Sequence, residues 1–143
     1  MAALAGARGD APLDGRRLAG ASSRTGAGSV KPVLDLRTYK LVPGGRETFE
    51  CIFREGALPM LGRHEIEVVG YGPSLADEEH YYLARAFPSA SRREQQLGGF
   101  YGSEEWQQRY ERAAMDLIES YHTVVIPRTP RIAQALASDV DNA

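Results

Sequence analysis

Between residues 33 and 127, strand-like and helix-like segments alternate in an order that few folds accommodate. Branched and aromatic residues mark four strands, at residues 33–41, 66–71, 80–87 and 121–126. Apolar residues at helical spacing mark one helix after the first strand, and a helical segment broken in two after the third strand. The order β-α-β-β-α-β predicts an α+β protein, with a ferredoxin-like sheet that carries its helices on one face.

The helix after the first strand is amphipathic and contains a proline. Its apolar residues share one side of a helical wheel: Phe49, Ile52, Phe53, Ala57, Met60 and Leu61. Pro59 predicts a kink, because its ring clashes with the carbonyl of Glu55 and removes one backbone hydrogen bond. Cys51 falls on the opposite, polar side, so we expect it to be exposed.

Two short helices are expected between the third and fourth strands. Ser91 and Glu94 have the spacing of a capping box, and Gly98-Gly99 is expected to end the helix that they open. Ser103 is expected to cap the next helix. Its predicted apolar side consists of Trp106, Tyr110, Ala113 and Leu117.

Composition divides the chain into three parts. Residues 1–32 contain eight alanines, six glycines and no aromatic residue, and we expect a disordered leader. Residues 33–127 are the expected folded domain. Residues 128–143 are an expected tail, in which Ile132 to Leu136 either form a short helix or fray.

Charge and cysteine content exclude several classes of protein. The 17 basic and 19 acidic residues give a net charge of -2, which does not favour a nucleic-acid partner. No apolar run approaches the roughly 20 residues of a membrane span. A single cysteine fits a reducing, cytoplasmic location, and three scattered histidines do not predict a metal site.

The third strand has two different faces. One consists of Tyr82, Ala84 and Ala86, and its small side chains suggest close packing against helices. The other consists of Tyr81, Leu83, Arg85 and Phe87, and is too apolar to face water. We therefore predict that this second face meets a second copy of the chain, which makes the protein a homodimer.

Several segments resemble the NIPSNAP family. The resemblance is carried by residues 34–41 with the following Pro43-Gly44, by Phe53-Arg54-Glu55, by Arg63-His64, by Val69-Gly70-Tyr71, by Arg93 and by Trp106. It implies a dimeric α+β barrel, in which sheets from two subunits enclose a shared interior. The superfamily that the resemblance implies includes cofactor-free monooxygenases of antibiotic biosynthesis, haem-dependent relatives and many members with no assigned chemistry. For this chain we expect no cofactor.

Five residues are candidates for binding a ligand in that interior. Arg37 and Tyr39 share one face of the first strand, and Tyr81 and Arg85 share the corresponding face of the third. The arginines would hold an anionic or carbonyl group of a small aromatic molecule; alternatively, Arg37 forms a structural ion pair with Asp35. His122 is the histidine placed to reach a cavity or ligate haem, and a structural, hydrogen-bonded role is preferred.

Two functions remain open from the sequence. The first is small-ligand binding in the interior, with cofactor-independent monooxygenase activity as its catalytic form; no catalytic residue is assigned. The second is a non-catalytic binding or adaptor protein whose barrel is only a dimer core. The segment 98–102 either acts as an aromatic lid or simply packs.

Overall fold

A computed structural model describes residues 30–137, and residues 1–29 of the expected leader lie outside the described residues. The elements are β1 (Val33–Leu41), α1 (Arg46–Ile52), a first π-helical segment (Phe53–Ala57), α2 (Leu58–Arg63), β2 (Glu67–Pro73), β3 (His80–Phe87), α3 (Ala90–Tyr101), a second π-helical segment (Trp106–Tyr110), α4 (Glu111–Leu117), β4 (Ile118–Pro127) and α5 (Pro130–Leu136). Within residues 30–137, no helix is long and apolar enough to cross a membrane.

The four strands form one antiparallel sheet in the order β2-β3-β1-β4. In the register, Asp35 lies opposite Arg85 of β3, and Arg37 lies opposite Thr123 of β4. Helices α1 to α4 cover one face of this sheet. The ferredoxin-like α+β fold predicted from the order of the elements is confirmed.

Helices α1 and α2 form one continuous helix through the first π-helical segment. The amide of Leu58 donates to the carbonyl of Phe53, five residues earlier, which is the hydrogen bond of a π turn. Pro59 follows at the start of α2, where its missing N–H matters less because the hydrogen-bond pattern has just changed. The predicted buried side is confirmed except at Ile52, which is half-buried, and Cys51 is exposed as expected.

Helix α3 differs from the prediction at both ends. The side chain of Ser89, not Ser91, caps it by accepting from the amide of Arg92. Gly98-Gly99 does not end the helix, which continues to Tyr101 and stops at Gly102. The predicted end of the helix was too early, because a glycine inside a helix lowers its stability but does not end it.

The second π-helical segment shifts the buried stripe of the helix after α3. Ser103 caps this helix as expected, since its hydroxyl accepts from the amide of Trp106 at 3.2 Å. However, Ala114 is buried in place of the predicted Ala113. A π turn holds one more residue than an α turn, so every later side chain moves round the helix by one position.

The assignment of the two faces of β3 was wrong. Tyr81, Leu83 and Phe87 pack into the main core together with residues of α1 to α4. Their face, predicted to meet a second copy, is therefore covered by the subunit's own helices. Both faces of β3 are apolar, so alternation alone did not show which of them the helices cover.

The small face of β3 is the outer face of the sheet, and α5 covers part of it. Ala84 and Ala86 form a second apolar cluster with Leu34 and Val69, against which α5 packs. The helix approaches β2 so closely that a Cβ atom at Gly70 would lie 2.6 Å from the carbonyl carbon of Leu136. The hydroxyl of Tyr82 donates to the carbonyl oxygen of Leu136 at 3.1 Å. Of the two alternatives for the tail, the short helix is therefore the one that forms.

Candidate functional site

A buried cluster of charged side chains lies between the sheet and α3. Asp35 accepts a hydrogen bond from Arg85 Nη2 at 3.0 Å and another from Arg93 Nε at 2.6 Å. All three side chains are at most 1% exposed. Strands β1 and β3 bring Asp35 and Arg85 together through their register, and α3 places Arg93 over both.

The electrostatics of this cluster favour the charged forms. Burial alone would raise the pKa of Asp35, but Arg85, Arg37 and Arg93 outweigh it and hold this pKa below its usual range. Burial alone would lower the pKa of Arg85, but Asp35 outweighs it and the pKa is raised. The cluster is therefore ionised at neutral pH, and its geometry is fixed by charge-assisted hydrogen bonds.

Arg37 extends the cluster towards β4. It is fully buried, and its Nε donates to the hydroxyl oxygen of Thr123 at 2.9 Å. Its guanidinium carbon lies 4.5 Å from the ring centre of Tyr121, a cation–π distance. The carboxylate of Asp35 is paired with Arg85 and Arg93, because side chains from β3 and α3 reach it directly, and the charge of Arg37 also helps to lower its pKa.

Tyr101 connects the charged cluster to a cavity. Its hydroxyl oxygen accepts a hydrogen bond from Arg85 Nη1 at 3.1 Å, and its side chain lines the cavity. The cavity lies in the main core, with a volume of about 30 Å³, which is room for about one or two water molecules. Its lining comes from β1, β3, the start of β4 and all the helices on that face: Tyr39, Phe49, Ile52, Phe53, Ala57, Leu61, Leu83, Phe100, Tyr101, Trp106, Ala114 and Ile118.

Three residues of this otherwise apolar lining carry a polar group: Tyr39, Tyr101 and Trp106. Burial raises the pKa of Tyr39 to about 12, and the nearby Tyr101 adds to the shift. The hydroxyl of Tyr39 therefore stays protonated at neutral pH. The third group is the indole Nε1–H of Trp106, which is buried and has no hydrogen-bond partner within residues 30–137.

Both π-helical segments form walls of the cavity. The first supplies Phe53 and Ala57, and the second supplies Trp106. Single π turns inside helices occur frequently at functional sites, because they add a residue and re-aim the side chains around it. Neither segment was predicted, since a π turn has no sequence signature comparable to that of a cap.

The structure brings together some of the five predicted residues. Tyr39 lines the cavity. Arg85 does not line it, but it donates a hydrogen bond to Tyr101, which does. Tyr81 also faces the helices but does not line the cavity, and its hydroxyl donates to Glu50 Oε2 at 3.0 Å. Arg37 belongs to the charged cluster, and His122 is exposed on the outer face of the sheet, where it pairs with Thr38 in the register.

Three residues of the site were missed as site residues by the sequence analysis: Arg93, Tyr101 and Trp106. A signal for Arg93 was present, because it shares helical spacing with Leu97 and Tyr101, both buried on the same side of α3. Helical spacing therefore marked this arginine as buried, unlike its exposed neighbour Arg92.

Within residues 30–137, no group of three or more His, Cys, Asp or Glu side chains is arranged to hold a metal ion.

Comparison with family models gives one match that spans most of the chain. The model of the NIPSNAP family matches residues 34–131. No curated protein matches the chain.

Solved structures of low sequence identity share the fold. An uncharacterised NIPSNAP-like protein from Burkholderia xenovorans is 14% identical, with a TM-score of 0.64 over 70% of this chain and 87% of that one. A NIPSNAP family protein of unknown function from Agrobacterium tumefaciens is 20% identical, with a TM-score of 0.64 over 70% of this chain and 93% of that one. A protein from Chloroflexus aurantiacus proposed to be an antibiotic biosynthesis monooxygenase is 15% identical, with a TM-score of 0.51 over 68% and 93%.

Proposed function

This chain belongs to the NIPSNAP family, and we propose that it binds a small, mainly apolar molecule in the cavity between its sheet and its helices. One observation carries the proposal: the cavity is lined by aromatic and aliphatic side chains, and one lining residue, Trp106, has a buried N–H with no hydrogen-bond partner within residues 30–137. A buried donor without an acceptor costs free energy. A ligand that supplies the acceptor recovers this cost.

The binding of a molecule larger than water requires the cavity walls to move. The two π-helical segments are the walls best suited to this, because their hydrogen-bond pattern already departs from that of a regular helix. They contact one another at Gly56 and Tyr110. Tyr110 is only half-buried, so a movement of its ring towards solvent would separate the two segments.

The single tryptophan of the chain makes binding measurable. In a spectrum of ¹⁵N-labelled protein, the indole N–H of Trp106 gives one cross-peak, which titration with phenol should shift in a saturable way. Phenol is chosen because it combines an apolar ring with one oxygen. A cross-peak that does not move up to millimolar phenol, benzene or cyclohexanone would contradict the proposal.

We propose cofactor-independent oxidation as the catalytic form of this function. A phenol would react with O₂ to give a quinone and water, with the phenol itself as the source of all four electrons. The protein of the same fold that is proposed to be an antibiotic biosynthesis monooxygenase supports this choice of reaction. Oxygen uptake with a panel of phenols and quinols tests it, and no uptake across the panel would leave binding without catalysis.

A second candidate function is that of a non-catalytic binding or adaptor protein. The volume of about 30 Å³ favours it, because the protein's own side chains nearly fill the space. The titration of the Trp106 resonance separates the two candidates. If no small molecule shifts that resonance, the cavity is part of the core and the second function stands.

In either case we propose that the protein is a homodimer. The outer face of the sheet supports this, since α5 covers only part of it and Val124 remains 52% exposed. Leu36 lies beside Val124 in the register and is half-buried. A second copy of the same face would cover both residues. We also propose a cytoplasmic location, where the exposed Cys51 stays reduced.

A further inference from the structure

We infer that the cavity opens to solvent at the junction of α1 and α4, and that the side chains of Ile52 and Ile118 form its mouth. A ligand enters by displacing these two side chains, and no helix has to unfold. This inference rests on the proposed function, because it names the route by which a molecule reaches the same cavity.

The exposure of the lining residues locates the opening. The cavity is not fully closed off from solvent. Ten of its twelve lining residues are at most 8% exposed, whereas Ile52 and Ile118 are half-buried. A half-buried side chain that also lines the cavity has one side on the cavity and another on solvent. The wall is therefore one side chain thick at these two positions.

Two contacts place Ile52 at the junction of α1 and α4, which pack against each other. At the start of α1, a Cβ atom on Gly45 would lie 3.1 Å from Cδ2 of Leu117. Beyond the end of α1, Gly56 meets Tyr110. The two helical stretches therefore run antiparallel, and Ile52 lies between the two contacts.

Ile118 lies at one end of the same junction, directly after Leu117, the last residue of α4. It pairs with Leu41 immediately beyond a shift in the register of β1 and β4. Such irregularities interrupt the hydrogen bonding of a strand and re-aim its side chains. Ile52 has a similar position, since the first π-helical segment begins at the next residue. Both mouth residues therefore lie where the regular backbone pattern changes.

The chemistry of the mouth selects for uncharged molecules. Both of its side chains are branched hydrocarbons without a polar atom, so nothing at this point replaces the hydration of a charged group. An apolar molecule loses no hydrogen bond on passing them. The mouth therefore favours the same small, mainly apolar molecules as the lining behind it.

The test measures access to the cavity without a ligand. Cys51, the single cysteine of the chain, is exposed and is first replaced by serine. Ala114→Cys then places a thiol in the cavity wall, on the opposite side of the junction from Ile52. Methyl methanethiolsulfonate is small and uncharged. Its rate of reaction with this thiol in the full-length protein, followed by mass spectrometry, measures entry into the cavity.

Ile52→Ala and Ile118→Ala should each raise this rate by about tenfold or more, because the mouth then stays open without any local unfolding. Ile52→Phe should lower the rate, since a larger side chain narrows the mouth. A loss of stability cannot explain opposite effects of the two substitutions at Ile52, because it would raise the rate in both.

Two controls separate the mouth from a general loosening of the fold. Leu61→Ala removes an aliphatic side chain from the same lining, but Leu61 is 2% exposed and lies on the buried side. It should raise the rate less than Ile52→Ala does. Ala84→Cys replaces Ala114→Cys in the second control, because Ala84 is fully buried in the cluster on the outer face of the sheet. The rate at this thiol should not depend on Ile52.

The outcomes distinguish this inference from the proposed function. If neither truncation at the mouth raises the rate, or if Leu61→Ala raises it as much, the inference is overturned, and a shift of the Trp106 resonance by phenol still supports binding. If the rates change as expected but phenol does not move that resonance, the mouth stands and the proposed function fails. Should Ala114→Cys not fold, Ala57→Cys takes its place, since Ala57 also lines the cavity.

Discussion

Gly56 and Tyr110 are in direct contact where the two π-helical segments meet. A Cβ atom built on Gly56 would lie 2.7 Å from Cζ of Tyr110 and 2.9 Å from its hydroxyl oxygen. The absence of a side chain at residue 56 therefore allows the two segments to touch. Since each segment also forms a wall of the cavity, this contact couples the two walls.

Gly56→Ala should destabilise the protein by about 1–3 kcal/mol, because the added methyl group has no space unless Tyr110 moves. Urea unfolding followed by circular dichroism measures this change in the free energy of unfolding. Gly62→Ala is the matched control in the same helix, where a Cβ atom meets nothing within 4 Å. The control should be neutral or stabilising by up to about 1 kcal/mol. Equal effects of the two substitutions would contradict the contact.

The order of the elements was predictable because each strand and helix carries its own local pattern. The strand at Val33–Leu41 and the strand at His80–Phe87 match their predicted bounds. The orientation of the sheet was not predictable from those patterns. Ala84 and Ala86 have small side chains that suit a covering helix, but the helix that covers them is α5 from the expected tail.

The candidate site was predictable only in part. Alternation along β1 and β3 correctly placed Arg37, Tyr39 and Arg85 on one face. The pairing of Asp35 with Arg93 joins residues that are 58 positions apart, and it depends on how α3 packs on the sheet. Local sequence patterns carry no information about such a contact. The cavity depends in the same way on the π-helical segments.

Asp35→Asn should destabilise the protein by about 3–5 kcal/mol at neutral pH, because it removes the charge that two buried arginines share. It should also flatten the dependence of stability on pH. The folded-state pKa of Asp35 lies below its reference value of 3.8, so between these two values the unfolded chain binds more protons. The stabilisation is therefore complete well above pH 3.8 and is lost as the pH falls through the folded-state pKa.

Urea unfolding of Asp35→Asn and of the wild type between pH 7 and pH 2.5 tests this prediction. The two curves of stability against pH should converge on acidification. Asp116→Asn serves as the control, because Asp116 is exposed and should lose little stability at any of these pH values. Parallel curves for Asp35→Asn and the wild type would show that the carboxylate is not the source of the pH dependence.

Gly70→Ala should detach α5 from the outer face of the sheet. The new methyl group would overlap the backbone at Leu136, which is the residue that accepts the hydrogen bond from Tyr82. Trypsin cleavage after Arg131, in the first turn of α5, should become several-fold faster as the helix opens. Gly98→Ala provides the comparison, since a Cβ atom at that position meets nothing within 4 Å. An unchanged rate of cleavage in Gly70→Ala would mean that α5 is not held at this contact.

Val124→Asp should separate the proposed homodimer into monomers without unfolding the chain. Val124 is 52% exposed within one subunit, so a charge at this position costs an isolated subunit less than about 0.5 kcal/mol. If a second copy covers the outer face, the same charge is buried without a partner and the interface is lost. Light scattering at micromolar concentration should give the mass of a dimer for the wild type and of a monomer for the variant.

Met115→Asp is the control, because Met115 is exposed on α4 and its substitution should leave the dimer intact. Leu83→Asp would not be informative, since Leu83 is buried against the helices and the charge would unfold the core. A wild-type protein that is monomeric and folded at this concentration would contradict the dimer.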